Sequence, residues 1–246
     1  MHRTRLDKET SAQPCLCTEC APKPGSVFSR RTLLTGSAAA LAVGMGGLAG
    51  RPARAQSTLT PDAALNELMT GNNRYTAGHL TSLNDDLAVL REHNEEKQEP
   101  FAGVLSCADS RVPVELIFDQ SIGHVFVGRV AGNICSPEMF GSFEYGAAVL
   151  GIPVIMVLGH EGCGAVKAAI SGKPVPGQIS ALFAPIRPAV ERGGSNVEKT
   201  IKANAQIQAD LLRTASPVIA GLVKQGKLKV VAAYYELESG KVSLLG

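Results

Sequence analysis

The sequence predicts one α/β domain built on a mostly parallel β-sheet that is flanked by helices. Two observations indicate this fold: short apolar runs alternate with longer helix-like segments, and glycine- or proline-containing turns separate them. The length of 246 residues, 45% of them hydrophobic, is sufficient for one sizeable core. Because the chain has no Trp and few aromatic residues, we expect that core to consist of Val, Ile, Leu and Ala.

Residues 1–55 have the pattern of an export signal. Ser29-Arg30-Arg31-Thr32-Leu33-Leu34 is a twin-arginine pattern, and a glycine-diluted apolar run over residues 33–49 overlaps its end. This run is shorter than the roughly 20 apolar residues that a membrane-spanning helix needs, which favours a cleaved signal over a membrane anchor. Ala53-Arg54-Ala55 is typical of a cleavage site. We therefore expect the Tat export machinery as a partner, cleavage near Ala55/Gln56, a periplasmic or otherwise exported location, and a mature domain of residues 56–246.

The mature domain is predicted to begin with two helices. Thr60 is a typical N-cap and Pro61 a typical first helical residue, and Gly71 is expected to end this helix. A second helix is predicted over residues 85–97. Because these helices carry few apolar residues, we expect them to pack on a neighbouring surface, within the chain or on a dimer partner.

The rest of the chain is predicted to alternate between strands and helices. Strands are predicted over residues 101–106, 124–130, 152–158, 229–235 and 242–245. Helices are predicted over residues 112–118, 138–150, 162–171, 178–190, 196–215 and 217–224.

Charge and cysteine content exclude two classes of protein. Residues 1–55 hold eight of the 24 basic and three of the 22 acidic side chains, so residues 56–246 carry a net charge of −3. Without a basic run, the mature domain is not expected to bind nucleic acid. Three of the six cysteines, Cys15, Cys17 and Cys20, lie in the export signal and receive no role. The other three form an odd set that favours metal ligation over a disulfide framework.

Metal-binding side chains follow two of the predicted strands. Cys107 comes directly after the strand over residues 101–106, and His160 comes soon after the strand over residues 152–158. Ligands collect at the carboxyl ends of parallel strands, so both can face one crevice. Cys163 is three residues from His160, a spacing that lets both reach one ion from a single helical turn. Two thiolates, one imidazole and one oxygen ligand are typical of tetrahedral zinc.

The fourth ligand decides whether such a site is structural or catalytic. If Asp109 occupies that position, the site is closed; if water occupies it, zinc can lower the pKa of that water towards 7. Arg111 could fork onto Asp109, hold it away from the metal and leave it to accept a hydrogen bond from zinc-bound hydroxide. Alternation along an extended turn would place Cys107, Asp109 and Arg111 on one side.

Each of these patterns also has a plainer interpretation. Asp109 and Arg111 alone could form a loop ion pair, and a single His-x-x-Cys is a weak signal. The occurrence of both at strand ends of one α/β unit is much stronger. Cys135 is interpreted as a small buried apolar residue. The remaining histidines of the mature domain, His79, His93 and His124, are interpreted as surface or packing residues.

The two patterns resemble the signature motifs of the β-class carbonic anhydrases. The motifs are Cys107-Ala108-Asp109-Ser110-Arg111 and Gly159-His160-Glu161-Gly162-Cys163-Gly164. The similarity extends through most of the mature chain, over Gly71-Asn72-Asn73-Arg74-Tyr75, Ala131-Gly132-Asn133, Ser142-Phe143-Glu144-Tyr145 and residues 234–240.

The resemblance implies a zinc enzyme, with one Zn²⁺ per subunit, that hydrates carbon dioxide reversibly to bicarbonate and a proton by a zinc-bound hydroxide. It implies that Cys107, His160 and Cys163 bind zinc, with Asp109 and Arg111 as a catalytic dyad. It also implies a homodimer or higher homo-oligomer with the active site at the dimer seam.

The resemblance further implies a substrate pocket. Gln98 stands nine residues before Cys107, where the always-open branch of the family has a substrate-binding Gln. Phe126 and Tyr145 match the apolar lining of the pocket, and Gly164 matches the backbone after the second Cys. The other branch can close by binding its Asp to zinc and uses a Trp for bicarbonate control; the absence of Trp favours the open branch.

Two other functions stay open at this point. One is hydrolysis of carbon disulfide or carbonyl sulfide on the same fold and metal. The other is a catalytically silent zinc protein that senses bicarbonate, or senses redox state through oxidation of Cys107 and Cys163.

Overall fold

The computed structural model describes residues 58–82 and 98–246, so the predicted export signal and the predicted helix over residues 85–97 lie outside the described residues. The described strands are β1 (Ala102–Ser106), β2 (Val125–Arg129), β3 (Val154–His160), β4 (Lys229–Tyr235) and β5 (Val242–Leu245). The described helices are α1 (Pro61–Thr76), α2 (Val114–Ile117), α3 (Pro137–Ala148), α4 (Gly164–Ser171), α5 (Phe183–Gly193), α6 (Val197–Ala215) and α7 (Pro217–Lys224). A 3-10 helix, Gly177–Leu182, precedes α5.

The described strands form a sheet in the order β2-β1-β3-β4-β5. The first four run parallel and β5 runs antiparallel to β4, which confirms the predicted mostly parallel sheet. From β1 the chain crosses to β2 on one side, and the next strand, β3, pairs on the other side of β1. The loops that follow β1 and β3 therefore diverge, and a crevice opens between the carboxyl ends of these two strands.

Helices cover both faces of the sheet, as predicted. On one face, Leu68 of α1 and Ile117 of α2 pack against Val104 and Met156. On the opposite face, Phe143, Leu212 and Ile219 from α3, α6 and α7 pack against Leu105 and Val157. Neighbouring residues of a strand thus enter different cores, as the alternation of side chains along a strand requires. All seven residues of β3 are buried, as expected of a central parallel strand.

The start of α1 was predicted correctly, but the prediction that Gly71 ends this helix is wrong. Thr60 caps the helix by accepting a hydrogen bond from the Ala63 amide at 3.2 Å, and the helix continues to Thr76. Gly71 lies where α1 passes the backbone of Phe118: a Cβ at this position would come within 1.8 Å of the Phe118 carbonyl oxygen. The glycine therefore permits a close approach between two segments.

Three further predictions differ from the structure in the boundaries of their elements. β3 continues to His160, so this residue belongs to the strand, and α4 begins at Gly164, two residues later than expected. The predicted helix over residues 178–190 is a 3-10 helix followed by α5, which places Pro185 in the first turn, where proline is tolerated. Within residues 58–82 and 98–246, no helix is long and apolar enough to cross a membrane.

Candidate metal centre

Three metal-binding side chains converge in the crevice between β1 and β3. Cys107 directly follows β1, His160 is the last residue of β3, and Cys163 caps the amino end of α4. One ligand atom from each residue lies within 4.8 Å of the other two, and all three residues are buried. The predicted group is therefore assembled, although His160 and Cys163 come from a strand and a helix cap and do not share one helical turn.

The turn between these two ligands is fixed by its backbone. Gly162 has φ of +67°, a conformation that glycine adopts readily, and this reverses the chain so that Cys163 returns beside His160. Glu161 ties the turn to the end of β4: its amide donates to the Tyr235 carbonyl at 2.8 Å, and its carboxylate accepts from the Leu237 amide at 2.9 Å.

The orientation of the His160 ring suits a metal. Its Nδ1 lies 2.9 Å from the carbonyl oxygen of Glu161, and because a carbonyl only accepts, Nδ1 carries the proton. Nε2 then presents a lone pair, and it is buried without a hydrogen-bond partner among the described residues. A buried nitrogen without a partner is unfavourable, and a metal ion beside two sulfurs would satisfy it. The donor set fits zinc.

The two thiols differ in their surroundings. The neighbouring Cys163 thiol, together with the Gly132 amide at 3.4 Å from Sγ, lowers the pKa of Cys107. The hydrogen bond to Cys107 and burial raise the pKa of Cys163. A bound metal ion would require both sulfurs as thiolates.

Asp109 and Arg111 form the predicted fork beside this group. Arg111 donates from Nε to one carboxylate oxygen at 3.0 Å and from Nη2 to the other at 2.8 Å, and its backbone amide adds a third bond at 3.0 Å. The guanidinium holds the pKa of Asp109 well below its usual range. Asp109 Oδ2 lies 3.9 Å from His160 Nε2, so the carboxylate borders the position that a metal would occupy.

The other residues expected in the pocket are placed differently. Gly164 begins α4 next to Cys163, with nothing within 4 Å of a Cβ built on it. Phe126 and Tyr145 contact each other, with ring centroids 6.5 Å apart, but Phe126 pairs with Gly103. Cys107 lies four positions along the chain from Gly103, an extended length of about 13 Å. Gln98 is exposed and precedes β1, at the opposite end of the strand from Cys107. One chain therefore does not bring these three side chains to the metal-binding group.

The structure adds residues that sequence analysis missed. Arg129, at the carboxyl end of β2, donates to the carbonyl oxygens of Cys107 and Asp109 at 3.0 and 2.5 Å and so holds the loop after β1. Gly132 donates its amide to Cys107 Sγ. Arg129 could have been predicted to lie near the site, because it stands at the carboxyl end of a third strand. The contact of Gly132 with Cys107 could not, because it depends on how the turn after β2 folds.

The side chains interpreted as packing or surface residues lie outside the metal-binding group wherever the structure describes them, and Cys135 is half-buried where a buried residue was predicted. The Cys135 thiol donates to the carbonyl oxygen of Gln208 at 3.3 Å, and burial raises its pKa to about 12. His124 packs edge-on against Phe101, with ring centroids 6.5 Å apart, and His79 is exposed. His93 lies outside the described residues.

Comparisons with known proteins agree with one another. The family model described as carbonic anhydrase matches residues 102–242. Carbonic anhydrase 2 of Mycobacterium tuberculosis is 35% identical over 195 residues, which cover 75% of this chain and 92% of that protein. The carbonic anhydrase of Mycolicibacterium smegmatis is 34% identical over 193 residues, covering 75% and 93%. The solved Coccomyxa β-carbonic anhydrase in complex with acetazolamide aligns with a TM-score of 0.59 at 26% identity, covering 74% of this chain and 86% of that one. These similarities favour carbonic anhydrase over hydrolysis of carbon disulfide or carbonyl sulfide.

Proposed function

The chain belongs to the β class of the carbonic anhydrase family, and from this premise we propose that it hydrates carbon dioxide reversibly at a zinc ion held by Cys107, His160 and Cys163. The observation that carries the proposal is the buried His160 Nε2, which has no partner among the described residues and faces two cysteine sulfurs. When bound there, zinc supplies a Lewis acid that allows a coordinated water to ionise near neutral pH.

The remaining chemistry is assigned to Asp109 and Arg111. Because the guanidinium keeps Asp109 ionised, the carboxylate can only accept hydrogen bonds. The bidentate contact fixes both carboxylate oxygens, with Oδ2 directed towards the ligand group. Asp109 would therefore accept a hydrogen bond from the attacking hydroxide and so leave a lone pair of its oxygen facing carbon dioxide. The fork also restrains Asp109 from becoming a fourth ligand, which supports the open form of the site.

The substrate pocket is proposed to form between two subunits. Phe126 and Tyr145 would provide an apolar wall for carbon dioxide, and Gln98 would donate a hydrogen bond to bicarbonate. Within one chain these side chains lie away from Cys107, and Tyr145 is 46% exposed, so a second copy of the chain would supply them. The amide of Gly164 would border the same pocket.

Export through the twin-arginine pathway is part of the proposal. The support is the sequence of residues 1–55, with Arg30-Arg31 and the cleavage pattern at Ala55. Zinc could then be bound in the cytosol before the folded protein reaches an oxidising compartment. The exported protein should begin near Gln56 on N-terminal sequencing; an intact Met1 on the exported protein would refute cleavage.

The activity is tested by oxygen-isotope exchange between labelled carbon dioxide and water, with zinc measured on the same purified protein. We expect one zinc per chain and exchange far above the buffer rate. A fully zinc-loaded protein without exchange from pH 7 to 9 would refute the enzyme and leave the silent sensing protein.

A further inference from the structure

The amide of Gly132 is aimed at one of the proposed zinc ligands. Its N–H donates to Cys107 Sγ at an N···S distance of 3.4 Å, across 25 residues of sequence. Gly132 is buried and has φ of +78°; a Cβ there would lie 2.8 Å from Ile186 Cδ1 and 3.3 Å from Ala165 Cβ. The turn that follows β2 therefore needs a glycine at this position, because it packs closely against Ile186 of α5 and Ala165 of α4.

The other side of the same residue is held by α6. Asn204, which is completely buried, donates from Nδ2 to the Gly132 carbonyl oxygen at 2.8 Å. Its Oδ1 accepts from Gln208 Nε2 at 3.4 Å, and this bond fixes which end of the Asn204 amide faces Gly132. Gln208 Oε1 also accepts a hydrogen bond from the Cys135 amide at 2.8 Å. The buried side chains of Asn204 and Gln208 therefore hold the turn at both Gly132 and Cys135.

We propose that Asn204 is a positioning residue for the metal centre, holding Gly132 so that its amide remains on the Cys107 sulfur. An N–H donated to a metal-bound thiolate fixes the direction of the sulfur and withdraws charge from it, and such outer contacts tune the strength of a metal site. This inference rests on the proposed zinc site. It predicts that Asn204 of α6 affects how tightly the site binds its metal.

The chain offers a matched control in Asn72. This asparagine is also buried and also donates to a glycine carbonyl, that of Gly240, at 2.9 Å. It makes two more bonds, to the Ile117 carbonyl and from the Val242 amide, within the core on the other face of the sheet. Replacing Asn72 therefore removes a comparable set of buried hydrogen bonds without touching the turn at Gly132.

The test compares Asn204→Leu with Asn72→Leu in the full mature chain. Zinc release to an excess of chelator should be about tenfold faster or more in Asn204→Leu, in the range seen when outer contacts of metal ligands are removed. In the cobalt(II)-substituted proteins, the thiolate-to-cobalt charge-transfer band should shift in Asn204→Leu and stay at the wild-type position in Asn72→Leu. If both variants release zinc at the same rate and show the same band, Asn204 contributes only to folding and the proposal fails.

A second measurement needs no variant and remains valid if Asn204→Leu does not fold. In the ¹¹³Cd-substituted wild-type chain, the Gly132 amide proton should show coupling to the metal through the hydrogen bond and Cys107. A metal-loaded protein without that coupling would overturn the inference and leave the proposed function intact. A wild-type chain that takes up no stoichiometric metal would instead overturn the proposed function.

Discussion

Asp109 lies between Arg111 at the surface and the buried group of metal-binding side chains described above. Its own side chain is 17% exposed, whereas that of Arg111 is 57% exposed, so the fork reaches from the crevice into solvent. Exposed ion pairs contribute little to stability, with a median of about 0–1 kcal/mol. The value of this pair is therefore expected in catalysis, through the orientation and ionisation of the carboxylate.

Asp109→Asn is expected to reduce isotope exchange by about 10–100-fold, the range for outer residues of metal sites, while zinc is retained. The Asn side chain would present one donor group and one acceptor oxygen where the proposed mechanism needs two acceptor oxygens. Exchange and zinc content should be measured together. Asp210→Asn is the matched control, since Asp210 pairs with Arg213 on the exposed surface of α6, and it should keep full exchange. Full exchange in Asp109→Asn would remove this residue from the mechanism.

Asp119 is the residue whose protonation should govern acid stability around α1. It is 2% exposed and accepts from Arg74 at 2.5 Å and from the amides of Thr81 and Ser82 at 2.9 and 3.0 Å. Burial alone would raise the pKa of Asp119, but these bonds together lower it well below its usual range. The folded-state pKa thus lies below the unfolded value of about 3.9. The carboxylate therefore stabilises the fold fully above about pH 4, and this contribution is lost as the pH falls towards the folded-state pKa.

Asp119→Asn is expected to lower the free energy of unfolding by about 3 kcal/mol at pH 7, as for a broken buried pair. Asn tolerates the positive φ of 45° at this position, so the backbone should be unaffected. The difference between wild type and variant should hold from pH 7 to about pH 4 and shrink as urea unfolding is repeated from pH 4 to pH 2, because the unfolded chain binds the proton first. A difference that stays constant over this range would show that the charge of Asp119 is not responsible.

At the scale of elements, Gly71 allows α1 to lie directly against the backbone of Phe118. Gly71→Ala should destabilise the protein by several kcal/mol, because the new methyl group would meet the Phe118 carbonyl oxygen and backbone must move. Gly221 lies inside α7 with nothing within 4 Å of a Cβ, so Gly221→Ala should stabilise by roughly 0.5–1 kcal/mol through helix propensity. Urea unfolding of the two variants checks both signs, and equal effects would contradict this account of Gly71.

These elements also show what sequence alone could predict. Strand runs and polar residues at their ends are local signals, and they correctly predicted the sheet and the grouping of Cys107 with His160 and Cys163. The hydrogen bond from Asn204 to Gly132 joins residues 72 apart, and no local pattern indicates that these two residues meet. The continuation of α1 through Gly71 was missed for the same reason, since the contact with Phe118 exists only in the folded chain.

At the scale of the whole molecule, one chain contains a metal-binding group without a complete pocket. Gln98 precedes the amino end of β1 and Cys107 follows its carboxyl end, so the two are separated by the length of the strand. Exposed apolar side chains on α3 and just after it, Tyr145 at 46% and Val149 at 47%, would be covered by a second copy. In that arrangement each active site combines Asp109 of one subunit with Gln98 of the other.

Hybrid dimers test this arrangement directly. Asp109→Asn and Gln98→Ala homodimers should each lose at least about tenfold in isotope exchange, as expected when a positioned polar group is removed from an active site. In a dimer of one Asp109→Asn subunit and one Gln98→Ala subunit, a shared pocket leaves one active site intact. That site combines Asp109 of the Gln98→Ala subunit with Gln98 of the Asp109→Asn subunit. The second site of the same dimer carries both substitutions. The purified hybrid should therefore recover about half of wild-type exchange per dimer, by the arithmetic of one intact site in two.

The recovery separates the two arrangements because a pocket confined to one chain has no intact site in the hybrid. Differently tagged subunits allow the hybrid to be isolated, and zinc content must equal that of wild type for the comparison to hold. A hybrid formed from Asp109→Asn and Arg111→Ala is the matched control, since both residues belong to the same fork in one subunit and exchange should stay low. If the Gln98 hybrid stays as inactive as that control, Gln98 acts within its own chain, and the shared pocket is refuted.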